Sequence, residues 1–310
     1  MKKIFAALGF ITFLTVPAEK VSAQYYFYDN KYYDNPIVYE VGVSVGAINC
    51  LTDIGGHKGI GKNFVKDLNL GKTHIAGSIY LAATYQYMFA LRLEATFGKI
   101  SADDKVLESV KETTRRRYER NLNFSSKINE VMLGIEAHPL FIINNKKEDW
   151  EPPRFSPYLY AGIGYFSFNP QTKLNGKTVD LQPLSTEGQG FAEYPDRKVY
   201  KLNKFNFPFG VGVKYDLGST LSLRAEFIYR NTNTDYLDDV STRYIDPTLY
   251  SNYFTGTKLT NALLLNDRQY ELEPTHITQP GDVRGRPKNK DSYFTFNIKI
   301  GYTFGRERIK

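Results

Sequence analysis

The chain has 310 residues, a formal net charge of +7 at pH 7, 24 Tyr, 21 Phe, 24 Gly and one Cys, with a mean hydropathy of −0.41. A single cysteine excludes an intramolecular disulfide framework, and no apolar run reaches the about 20 residues that a membrane-crossing helix needs. The basic excess is modest and gives an exported chain no call for a nucleic-acid partner.

The N-terminus carries Lys2 and Lys3, an apolar run from Ile4 to Val16, and Val21-Ser22-Ala23 before Gln24. This is the pattern of an export signal, residues 1–23, cut after Ala23. Residues 24–38 then form an N-terminal periplasmic segment. A lipid anchor would need a cysteine at the cleavage site, whereas Cys50 lies far downstream and reads as a small residue at a strand end.

Period-two alternation starts next, and side chains alternate across a strand. The first strand, 39–48, sets Tyr39, Val41, Val43, Val45 and Ala47 outward against Glu40, Gly42, Ser44 and Gly46. The second, 74–87, has Ile75, Ile79, Leu81, Ala83, Tyr85 and Tyr87 on one face, with a tight turn expected at Met88. The third, 89–98, opposes Leu91, Leu93 and Phe97 to Arg92, Glu94 and Thr96, and a charged connection, 99–126, follows. The fourth, 128–140, alternates Val131, Leu133 and Ile135 with Glu130, Met132, Glu136 and His138, then turns through 144–154. The fifth, 157–168, places Leu159, Ala161, Ile163 and Tyr165 opposite Tyr158, Tyr160, Gly162 and Gly164. After a long connection, 169–203, the sixth strand spans 205–215 and turns through 216–220 into the seventh, 221–230. The longest connection, 231–292, leads to an eighth strand, 293–304, with Phe294, Phe296, Ile298, Ile300, Tyr302 and Phe304 on a single parity.

Segments of roughly 10 residues, greasy on one parity and polar on the other, suit strands that cross a bilayer at a tilt. The expected fold is therefore all-β: an eight-stranded antiparallel transmembrane β-barrel over 39–304, with the eighth strand closing on the first. Connections alternate long and short, which puts the long loops outside the cell, the short turns in the periplasm, and both termini on the periplasmic side. The location that follows is the outer membrane, with its lipid as a partner. A soluble periplasmic or secreted β-protein is the competing reading, disfavoured by the repeated aromatic outer parity.

The inward parity supplies Glu40, Arg92, Glu94, Glu130, Glu136, Lys214, Arg224, Glu226, Arg230 and Lys299. Eight strands leave an interior just wide enough for side chains, so opposite charges are expected to pair into a plug; a charge-selective pore is the sharper alternative. Clusters at 115–120, 284–290 and 306–310 read as solvated loops or headgroup contacts. No catalytic residues, cofactor or metal site are expected. His57, His74, His138 and His276 lack metal-ligand spacing, and no serine lies in a Gly-x-Ser-x-Gly elbow. Asp235-Tyr236-Leu237-Asp238-Asp239 lacks the calcium-loop alternation, and the glycine-rich run from Gly55 to Gly61 precedes no clear helix.

The loops carry a resemblance. Glu40-Val-Gly-Val-Ser-Val-Gly with Leu51-Thr-Asp53-Ile-Gly55-Gly56, Pro157-Tyr-Leu-Tyr-Ala-Gly-Ile-Gly, and Asp180-Leu-Gln-Pro-Leu-Ser-Thr-Glu-Gly-Gln-Gly begin a set of blocks. Pro208-Phe-Gly-Val-Gly-Val-Lys-Tyr, Thr234-Asp235-Tyr236-Leu-Asp238-Asp239-Val-Ser-Thr-Arg-Tyr and Arg284-Gly-Arg-Pro-Lys-Asn complete it. Together they resemble the PorG-like outer-membrane proteins of the Bacteroidota; the charged insert 103–120 matches least well. The resemblance implies a non-enzymatic component of the type IX protein secretion machinery, associated with a periplasmic ring of a PorK-like lipoprotein and a PorN-like partner. The cationic tail, 305–310, and the 144–154 turn are the surfaces such a ring could reach. A stand-alone porin-like or structural barrel is the alternative.

Overall fold

A computed structural model describes residues 36–56, 70–144, 153–272 and 278–304. The signal sequence 1–23, residues 24–35, the glycine-rich stretch from His57 onward, most of the 144–154 turn, His276 and the tail 305–310 lie outside the described residues.

Eight strands form a closed antiparallel barrel: β1 (Ile37–Leu51), β2 (His74–Tyr85), β3 (Phe89–Asp103), β4 (Asn123–Ala137), β5 (Phe155–Ser167), β8 (Asn203–Asp216), β9 (Leu221–Thr232) and β10 (Ser292–Phe304). Sequence neighbours pair throughout, β3–β4 and β5–β8 included, and β10 returns to β1 in continuous register from Tyr39↔Phe304 to Leu51↔Ser292. Every barrel strand is therefore paired on both sides. The outer face is apolar, with Val43, Leu81, Leu93, Val131, Leu159, Phe209 and Ile300 all exposed. A closed sheet with that exterior leaves no unpaired backbone edge to face hydrocarbon, and it is an integral outer-membrane barrel.

Several boundaries differ from the expected ones. β1 starts at Ile37, so the N-terminal segment ends before residue 38. β2 ends at Tyr85, where Gln86 and Tyr87 both take left-handed φ, 47° and 58°, and the Met88 N–H donates to the Tyr85 carbonyl at 3.0 Å. Two successive left-handed residues match the twist of a hairpin, so the reversal falls on Gln86–Tyr87 and not on Met88. β4 stops at Ala137: Pro139 has no N–H for a ladder but suits a first helical turn, and it opens α2 (Pro139–Asn144).

The larger difference is at the long-loop end. β3 and β4 are each 15 residues long, more than the about 11 a tilted strand needs for the bilayer. They run on to an Asp103↔Asn123 pair, bridged by α1 (Lys111–Arg120). The 169–203 connection contains a hairpin, β6 (Gln171–Leu174) with β7 (Lys177–Asp180), turning on Asn175 and Gly176 at φ 50° and 79°. Asn-Gly is the strongest short-range hairpin signal a sequence carries, and it stood in the chain. The 231–292 connection contributes α3 (Gly256–Asn266). The described parts of the long connections therefore form one folded cap with its own apolar core, including Ile54, Phe124, Leu184, Phe191, Leu237, Tyr250 and Leu265, all buried.

Barrel and cap meet at a level where the pattern inverts. On the inward parity, Arg92, Glu94 and Thr96 of β3 give way to Ile100 and Ala102, while Glu136 and Glu130 of β4 give way to Ile128 and Phe124. On the outward parity the reverse occurs: Phe97 is followed by Lys99, Tyr165 by Ser167, and Tyr229 by Asn231. Surroundings change from lipid to water at that level, so the side of the sheet that apolar residues favour changes with them.

Candidate functional site: a charged lumen beneath a loop cap

The lumen is built from inward positions on all eight strands. Arg92 Nη1 reaches Glu136 Oε1 at 2.7 Å and Glu226 Oε2 at 2.8 Å, and its Nε lies 3.2 Å from Glu94. Arg224 bridges Glu40 and Glu136, each at 2.8 Å. Lys299 Nζ sits 2.5 Å from Glu94 and 2.7 Å from Glu226, and Lys214 lies 2.6 Å from Glu40. Nearer the cap, Arg230 pairs with Glu130 at 2.7 Å. Cations Arg92, Lys214, Arg224, Arg230 and Lys299 thus match carboxylates Glu40, Glu94, Glu130, Glu136 and Glu226 in number. Arg230, expected in the same network as the others, instead belongs to a separate pair with Glu130, itself held by Tyr293 and Asn206.

Tyrosines fill the space between these charges. Tyr80 and Tyr158 donate to Glu40 at 2.5 Å and Glu226 at 2.8 Å, and Tyr160 lies under the Arg92 guanidinium, 4.2 Å from it. Glycines on adjoining strands admit these rings: a Cβ on Gly212 would stand 2.3 Å from the Tyr158 ring, and one on Gly134 2.4 Å from Tyr160. His138, just past the end of β4, is buried between Ser156 and Glu136. His74 bonds Ser101, and Cys50 is a free, buried thiol.

Above the lumen, the loop residues singled out from sequence converge. The Ile54 N–H donates to Asp238 Oδ2 at 2.9 Å, and the other Asp238 oxygen accepts from Val240 N–H at 3.0 Å. The Gly55 N–H donates to Asp104 at 2.9 Å, and the Gly55 carbonyl accepts from Arg117. Asp53 accepts from the Arg286 N–H at 2.6 Å, while its carbonyl takes Arg120 Nη2 at 2.7 Å. Asp239, itself at φ 67°, accepts from Tyr200 and Thr186. Asp235 takes the Ser241 hydroxyl at 2.7 Å, and the Tyr236 ring stacks on Tyr200 at 4.7 Å. Gly56 is buried beside them. The acidic run thus terminates backbone amides and hydroxyls inside the cap.

Burial pushes Asp238 up to about 8, with the Asp53 charge adding to it, and pushes Asp235 up to about 8. Asp239 rises to about 6 because burial outweighs the attraction of Arg284, and Asp291 is raised by burial and by Asp238 and Asp235. Among the described residues, no group of three or more His, Cys, Asp or Glu side chains is arranged to hold a metal ion.

Two cations expected to be solvated are buried. Arg120 is paired to Asp104 at 2.8 Å, and Arg284 reaches Glu187 at 3.1 Å and the Asp239 carbonyl at 2.7 Å. Glu187, unremarkable in sequence, also accepts from the backbone of Ser241 and Thr242, at 2.9 Å each. Nothing in a local pattern marks such residues, because their partners lie far away in the chain.

A family model matches residues 30–255, which take in most of the barrel and the larger part of the cap. The chain belongs to the family described as a domain of unknown function, DUF6089. No curated protein matches it. Among solved structures it is similar to Ail, the attachment invasion locus protein of Yersinia pestis, at 10% identity and TM-score 0.35, over 86% of this chain and 99% of that one. Neisserial surface protein A is similar at 9% identity and TM-score 0.38, over 86% and 97%. A major outer membrane protein from Thermus thermophilus shows 14% identity and TM-score 0.34, over 86% and 99%. The eight-stranded architecture of this DUF6089 member rests on the closed pairing of its own strands.

Proposed function

We propose that the protein is a non-enzymatic integral outer-membrane component of the type IX secretion machinery, anchoring a periplasmic ring of PorK-like lipoprotein and PorN-like partner to the membrane. The observation that carries this reading is the filling of the barrel: Arg92, Glu136, Arg224, Glu226 and Lys299 are each 0–1% exposed in a charge-matched network. A cap roofs that network at the long-loop end. A barrel filled in this way has no room for a polypeptide cargo and little for a solute, which suits an anchor. The PorG-like sequence blocks lie largely in the cap and its flanking strands, where barrel physics alone would not dictate them.

The test is a crosslinked pull-down of the tagged protein from native membrane, with secretion assayed in a deletion strain and conductance measured in a planar bilayer. Recovery of the two ring subunits, loss of secretion and a silent bilayer are expected. Steady single-channel conductance with secretion intact on deletion would overturn the reading in favour of a porin-like barrel.

A further inference from the structure

Just above the apolar belt, at the long-loop end, the outward residue is neutral on four strands: Asn129 on β4, Ser167 on β5, Asn203 on β8 and Asn231 on β9. β3 carries a charge there, and β4 carries one a step higher. Lys99 follows Phe97 on β3, Lys127 follows Asn129 on β4, and the two lysines are directly opposite in register, both exposed. Residues paired in this way have Cβ atoms about 5 Å apart, and like charges so placed repel. No carboxylate relieves them: among the described residues, neither ammonium has an acidic partner. The neighbouring cation Lys72 is already paired with Asp103 at 3.1 Å, and His74 is bonded to Ser101 at 2.6 Å.

Below the pair, past Asn129 on β4, the surface is apolar. Phe97 is 53% exposed and Val131 54%, and Ile75, which the Gly77–Phe97 register carries alongside Lys99, is 79% exposed. One dyad step along a strand is about 7 Å. Lys99 therefore sits one step above acyl-facing Phe97, and Lys127, level with it across the register, two steps above Val131, at the depth of the headgroups of the outer leaflet.

We propose that Lys99 and Lys127 together bind a phosphate-bearing headgroup of an outer-leaflet glycolipid, whose acyl chains lie against Ile75, Phe97 and Val131. A phosphate between the two ammoniums turns a repulsive cross-strand pair into two attractive contacts, and Lys is well suited to phosphate as a point charge. This binding is independent of any association with a periplasmic ring.

The experiment uses the full chain reconstituted in phosphatidylcholine nanodiscs, with lipid retention read by native mass spectrometry. Probes are diphosphorylated lipid A, its dephosphorylated form and inorganic phosphate. K99Q/K127Q is expected to lower lipid A retention by on the order of tenfold. K173Q/K177Q, on the exposed β6–β7 hairpin, should leave it unchanged. Dephosphorylated lipid A should be retained as poorly by the wild type as lipid A is by K99Q/K127Q. The heat-dependent gel shift of a folded barrel checks that each variant is intact. Equal retention by wild type and K99Q/K127Q overturns the proposal, as does equal retention of the two lipid A forms. Displacement of lipid A by an equal concentration of inorganic phosphate assigns the lysines to a soluble anion and overturns the lipid assignment.

Discussion

The barrel lumen and the loop cap are two interiors of one chain, filled by opposite means. In the lumen, arginines, lysines and glutamates interlock while the apolar residues face outward. In the cap, Phe124, Leu237, Tyr250 and Leu265 are inside, and carboxylates enter to take backbone amides and hydroxyls or to meet the two buried arginines, Arg120 and Arg284. The same strands serve both, exchanging the character of their two parities at one level. Apolar burial thus drives the cap, where water is the alternative, whereas the lumen must be held by paired charge because its alternative partner on the outside is lipid.

The sharpest way to break this contrast is to unpair the lumen. Arg224→Met leaves Glu40 and Glu136 short of a cation and should cost about 3–5 kcal/mol, read as a lower urea midpoint of the gel-mobility shift in detergent. A midpoint equal to that of wild type would mean that the lumen charges are hydrated and not mutually held. Leu237→Ala should cost about 2–5 kcal/mol, but in the cap alone. Limited proteolysis should then cut the 182–202 and 233–291 segments sooner while the barrel's urea midpoint stays put; a matching fall in that midpoint would show the two interiors to be one cooperative unit.

Acidity separates them further. Asp235 and Asp238 titrate near 8 in the folded cap, against about 3.9 for an unfolded aspartate. Their contribution to stability is complete below the unfolded value, declines as pH rises, and is gone above about 8. Cap proteolysis should therefore accelerate between pH 5 and pH 9. Asp235→Asn, which keeps an acceptor for Ser241, should flatten that profile; an unaltered slope would remove Asp235 from the account. The smallest effect is at the β6–β7 turn. Gly176→Ala meets no atom within 4 Å but must hold φ near 79°, so it should cost about 1 kcal/mol and loosen only the hairpin's amide exchange.

What was legible in the chain follows the same division. Parity alone places Glu40, Arg92, Glu94, Glu136, Arg224, Glu226 and Lys299 inward, because a membrane strand repeats every two residues without slipping. Which glutamate meets which cation depends on strand stagger, which no local pattern encodes; Arg230 therefore fell to Glu130 and not to the main network. In sequence the cap looks like mere connections because its core is assembled from scattered residues, such as Ile54 and Leu237, brought together across most of the chain. Its buried cations Arg120 and Arg284 lie in basic runs that look solvated. Only the Asn175-Gly176 turn carried a local signal, and Pro139 marked where β4 had to stop.

Closure between the two most distant strands carries a kinetic consequence. The ladder from Tyr39↔Phe304 to Leu51↔Ser292, with the Tyr39 and Phe304 rings stacked at 5.8 Å, joins the earliest and latest parts of the sheet to be delivered to the membrane. The sheet must therefore wait for β10 before the seam can zip, and until then two raw backbone borders need shelter from lipid. Loss of β10 would leave an unsealed ribbon, a substrate for quality-control proteolysis, however sound the seven strands before it.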